Sequence, residues 1–212
     1  MFLTRRTALT LALPALGIGC GGTPPDTTPP PFGSGPPAYG HLTPIRLDVA
    51  SIEIVDPQAG PATIVIPPAP IVPAQAMLTM ARDRLVAAGG SGRARFTITA
   101  ASLTRQRESE GGLFSSATER LSCVMRCRVE VLGEEGEPPL GFAQAETSRR
   151  VVSPAGNQAE RSAAADRIVR QAMADLNIEL EFQIRRNMRR FLAAGPAAGA
   201  APAVQTESLP RS

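Results

Sequence analysis

The sequence predicts an α+β domain: an antiparallel sheet of about four strands, in the order β-α-β-β-β-α, packed by two helices of which the C-terminal one is long. Three observations carry this. Leu121, Cys123, Met125, Cys127, Val129 and Val131 alternate with Ser122, Arg126, Arg128 and Glu130, the signature of a strand with one buried and one wet face. Met77, Leu78, Ala81, Leu85 and Ala88 recur at i, i+3, i+4 behind Pro73, which fits the first turn of a helix. Finally, Ala165, Ile168, Val169, Ala172, Leu176, Leu180 and Ile184 draw one continuous helical stripe toward the end of the chain.

The elements follow in order. Residues 1–19 read as a signal peptide: Arg5 and Arg6 precede an apolar run from Ala8 to Ile18, about eleven residues and too short for a permanent membrane span. Gly19-Cys20 at its end resembles the lipobox of bacterial lipoproteins, which implies lipid attachment at Cys20. Gly21 after that cysteine fits outer-membrane sorting, and Thr4-Arg5-Arg6-Thr7-Ala8-Leu9 resembles a twin-arginine export signal. Residues 20–40, with Pro24-Pro25, Pro29-Pro30-Pro31 and Pro36-Pro37, read as a semi-rigid tether.

The α+β domain is expected over residues 41–194 and a disordered tail over 195–212. The first strand, Arg46 to Val55, changes phase near Ala50, which a bulge would accommodate. Residues 56–73 hold Ile64-Val65-Ile66 and Ile71-Val72 among prolines, either an extended non-sheet strap on the domain or an exposed apolar binding loop. The helix from Pro73 is stopped by Gly89-Gly90, with Arg82, Asp83 and Arg84 off its stripe, and a strand follows over Arg95–Ala100. After the strand through Leu121–Val131, another runs from Leu140 to about Val152, its Gly141, Ala143 and Ala145 making a small-residue face. Asn157 with Glu160 forms a capping box that opens a helix to about Ala194.

Composition and chemistry narrow the function. The chain of 212 residues contains arginine but no lysine, and its net charge of +3 falls to about +1 without Arg5 and Arg6, so a nucleic-acid footprint is lacking. Cys123 and Cys127 lie about 13 Å apart along one strand at its usual rise, too far for a disulfide, and read as core residues. His41 is the single histidine, no inward-facing ligand accompanies the cysteines, and neither a serine elbow nor a zinc or phosphate motif is present. Glu134-Glu135 and the Glu179, Glu181 pair read as solvated surface. No catalytic residue, metal or cofactor is predicted, and the chain is expected not to be an enzyme.

The last helix, at 1.5 Å per residue, would reach over about 50 Å against about 30 Å for strands of eight or nine residues, so half of it should overhang the sheet. On that overhang lie Ile178, Phe182, Arg185, Arg186, Met188, Arg189 and Phe191. They mark a docking surface for a protein partner, a second copy or a membrane surface, or else they are covered by the Ile64–Val72 strap, with the arginines complementing the helix dipole.

The layout over residues 45–192 is similar to that of LptE-like proteins and auxiliary lipoproteins of ABC-type transport systems. Met80-Ala81-Arg82-Asp83-Arg84-Leu85, Gly141-Phe142-Ala143 and Glu181-Phe182-Gln183-Ile184-Arg185-Arg186 also resemble stretches of uncharacterised alphaproteobacterial lipoproteins. The resemblance implies a membrane-tethered, non-catalytic accessory or assembly subunit of a lipid or envelope-component transport complex. It would sit on the periplasmic side of the envelope at the outer membrane and bind a protein partner, or itself, through the C-terminal helix. The alternative is a periplasmic module that binds an apolar ligand between the Ala143, Ala145 face and the helices.

Overall fold

A computed structural model describes residues 35–112, 116–134 and 136–193. Cys20, the leader, most of the tether, Glu135 and the C-terminal tail lie outside the described residues. The described part is an α+β domain, as the alternation and the helical stripes predict. Its elements are β1 (Ile45–Leu47), β2 (Ser51–Val55), α1 (Pro73–Arg84), β3 (Leu85–Ala87), β4 (Arg93–Ser109), β5 (Thr118–Leu132), β6 (Gly141–Pro154) and α2 (Gln158–Asn187), with short 3-10 turns at Pro61–Thr63 and Arg189–Phe191.

The main sheet runs β2-β4-β5-β6, with β4, β5 and β6 antiparallel and β2 parallel to β4. It is therefore mixed, because β2 returns to the sheet through α1 and so enters in the same direction as β4. The phase change near Ala50 is no bulge. It separates two strands that join different sheets: β1 pairs in parallel with β3, and β2 with the start of β4. Helix α1 also ends earlier than its stripe suggests, since Leu85 turns extended and β3 aligns with β1.

One face of the sheet is buried and the other is wet. Phe96, Ile98 and Leu103 of β4, Leu121 through Val129 of β5, and Ala143 and Ala145 of β6 pack under α2, whose Ile168, Val169, Ala172, Leu176, Leu180 and Ile184 are buried in the same core. A register shift between Ile98 and Ala100 moves the inward set from Phe96 and Ile98 to Ala101 and Leu103, while Ala100 pairs with Arg126 on the other face. The capping box forms as expected: Glu160 N–H donates to Asn157 Oδ1 at 3.0 Å, and Asn157 N–H donates to Glu160 Oε2 at 2.9 Å.

Strand length removes the predicted overhang. With 17, 15 and 14 residues, β4, β5 and β6 reach about 45–55 Å, and α2, with 30 residues, covers about 45 Å. Helix and sheet match. Helix α2 also stops at Asn187 rather than Ala194; its sequel folds back, so that Asp48 N–H donates to Phe191 O at 2.7 Å and Ala193 N–H to Arg46 O at 3.0 Å. The segment at Ile64–Ile66 is no free strap either. Leu103 N–H donates to Ile64 O, and Ile66 N–H donates to Leu103 O, both at 2.9 Å, which adds it to the edge of β4 beyond the end of β2.

Candidate functional site

The residues expected to dock a partner divide into two groups. Ile178 and Phe182, one turn apart, remain 68% and 52% exposed on the ridge of α2 that points away from the sheet. Arg186 lies over the Phe182 ring at 6.0 Å, and Arg185 donates to Glu181 Oε1 at 2.8 and 3.0 Å. Arg189 is exposed. Met188, by contrast, is fully buried, and Phe191 is half-buried, packed against the core with its ring over Gly141 and the Arg190 guanidinium 4.7 Å from the ring centroid. These two close the end of the core because the chain turns inward after Asn187. They are removed from the docking surface.

The free edge of β6 follows from strand order, which periodicity alone does not set. No strand among the described residues pairs with its outer side along Gly141–Pro154. Its wet-face residues Phe142, Gln144, Glu146, Ser148, Arg150 and Val152 are exposed. Arg128 lies over the Phe142 ring at 4.1 Å, and Arg126 grips Glu146 through Nε at 2.9 Å and Nη2 at 2.6 Å. That grip holds the Glu146 carboxyl below the usual carboxylate range, chiefly through the hydrogen bond. The expected ligand space at Ala143 and Ala145 is filled: both are buried under α2, and β6 lies close to the helix because of those small side chains.

Two buried charge clusters were not anticipated. Arg84, only 2% exposed, donates through Nε to Asn177 Oδ1 at 2.9 Å and through its terminal nitrogens to Thr43 O and Glu181. Glu181 is thus no merely solvated residue. The signal was in the spacing, since Arg84 follows Met77 and Ala81 on the same helical face. Glu119 is likewise buried; it accepts from Arg105 Nη1 at 3.2 Å and from Arg161. It shares the parity of Leu121 and Cys123, so its inward position too was written in the alternation.

Cys123 and Cys127 are buried and unbridged, and burial pushes each thiol up to about 12. His41 is exposed in a turn. Among the described residues, no group of three or more His, Cys, Asp or Glu side chains stands ready to hold a metal ion, and no helix is long and apolar enough to cross a membrane.

No family model matches the chain, and no curated protein does. Among solved structures it is similar to a protein of the DUF330 family from Xanthomonas campestris, at 16% identity and a TM-score of 0.32, over 71% of this chain and 94% of that one.

Proposed function

We propose that the chain is a non-catalytic accessory or assembly subunit of the cell envelope, held on the periplasmic side by a lipid on Cys20, and that it docks a partner protein as an added strand on β6. The observation that carries this reading is the edge of β6, left unpaired by the described residues over 14 residues. Protein chains usually blunt so long an edge with prolines, bulges or a covering element. Here Pro154 comes only at the very end, and β6 pairs with β5 without a register shift. Strand addition would satisfy the waiting N–H and C=O groups, and side chains of the incoming segment would give specificity. Ile178 and Phe182 supply an apolar contact for the body of the same partner. The resemblance in layout to auxiliary lipoproteins supports a lipid or envelope-component transport complex as the assembly, and Gly21 after Cys20 supports outer-membrane sorting as the address.

The test is photo-crosslinking in living cells from probes at Ser148, on the exposed face of β6, and at Phe182. Adducts with another protein from both positions are the expected result. Adducts only between two copies of the chain would replace the accessory role with self-association, and intramolecular adducts alone would remove both. Replacing Cys20 with Ala is expected to release the protein from the membrane fraction.

A further inference from the structure

A cavity of about 460 Å³ opens where the last residues of β6 part from the first turns of α2, well within the size of small-molecule sites. Its lining is of two kinds. Val151, Ala164 and Ile168 form an apolar wall, and Val151 is 43% exposed, uncovered at the rim. Arg105, Arg161 and Arg167 form a basic one.

The basic wall is built rather than incidental. Glu119, beneath it, accepts from both Arg105 and Arg161, and Arg105 Nη2 also donates to Arg161 O at 3.4 Å, which fixes two guanidinium groups side by side. Glu160, the other carboxylate, is engaged with the Asn157 N–H at 2.9 Å. Arg167 is exposed and forms no ion pair among the described residues. Three guanidinium groups thus face two carboxylates, leaving one positive charge over.

We infer that this cavity binds a single-chain anionic amphiphile, its carboxylate or phosphate head on Arg105, Arg161 and Arg167 and its acyl chain along Val151, Ala164 and Ile168. A bare anion would leave Val151 uncovered, and a neutral lipid would leave the surplus charge unanswered. The inference does not rest on the docking role of β6.

The test uses the purified full chain and dodecanoate or dodecyl phosphate, each below its micelle-forming concentration, followed by calorimetric titration and thermal melting. Saturable binding with a raised melting temperature is expected for at least one of the two, and the tighter head tells a fatty acid from a phosphate ester. Dodecanol, acetate and inorganic phosphate are expected to bind at least tenfold more weakly. The exposed Arg167→Glu variant should melt as the parent does yet lose at least tenfold in affinity, and Val151→Ser should lose affinity for the chain-bearing ligands alone. Equal binding of dodecanol would reduce the site to an apolar crevice, and equal binding of inorganic phosphate to an anion site. Either result, an unchanged affinity in Arg167→Glu, or no binding at all would overturn the inference.

Discussion

Cys123 and Cys127 show how burial alone sets a residue's chemistry. Both thiols are shifted from 9.0 to about 12, first by desolvation, with a backbone N–H at Ala145 opposing it for Cys127. An unfolded thiol ionises near its ordinary value, so from pH 9.0 to about 12 the unfolded chain has shed protons that the folded chain keeps. Folding is then linked to proton retention: the contribution is complete below that window and is lost as pH rises through it. Urea midpoints measured below and within the window should therefore fall, and the fall should be shallower in a Cys123→Ala, Cys127→Ala variant, whatever its stability near neutrality. The position of these cysteines was legible in the sequence, because strict alternation leaves an inward side chain nowhere else to go. Arg84 and Glu119 obeyed the same periodicities. They went unread because a charge is expected outside unless partners are known, and those partners, Asn177 and Arg161, stand far along the chain.

Among the elements, the two ends of the sheet decide how far each secondary structure extends. The interior of β5 was plain from its pattern, but the outer half of β4, Ser102 to Ser109, is mostly polar and follows one register shift at Ile98–Ala100 and contains another at Arg107–Ser109, which hides a strand from any period-two reading. Strands of eight or nine residues would leave the C-terminal helix projecting into solvent; at their true length it lies along the sheet. The turn after α2 then brings Phe191 onto Gly141, where an added Cβ would fall inside the envelope of the ring. Gly141→Ala is expected to lower stability by about 1–3 kcal/mol, the usual cost of overpacking. Denaturant unfolding checks this, and a Gly141→Ala, Phe191→Leu variant should recover part of the loss. Of the site, Ile178 and Phe182 were legible as exposed apolar residues on a helix, whereas the free edge of β6 depends on strand order, which one sequence does not specify.

Across the whole molecule, Arg84 joins three pieces that are distant in sequence: the segment before β1 through Thr43, α1 itself, and α2 through Asn177 and Glu181. Its burial is tolerable because every side of the guanidinium meets an acceptor. Arg84→Met keeps the bulk but strands the buried Asn177 amide and frees Glu181 from one of its two arginines. A loss of about 3 kcal/mol is expected, near the lower end for a broken buried pair since Glu181 retains Arg185 and some solvent. Urea unfolding measures it, and replacing Glu181 with Gln in the same background should restore part of the loss.

The pairing of Leu47 with Leu192 bears on how the protein is made. A chain emerging from the ribosome can assemble the β4, β5 and β6 meander early, as those neighbours follow one another in order. The first strand of the domain, however, is sealed by Leu192 from beyond its last helix, so no intermediate that lacks this residue possesses the complete core. Contacts of such long sequence separation delay folding. Closure of this domain waits for Leu192, and a ribosome that stops a few codons before it releases a domain whose first strand lacks its partner.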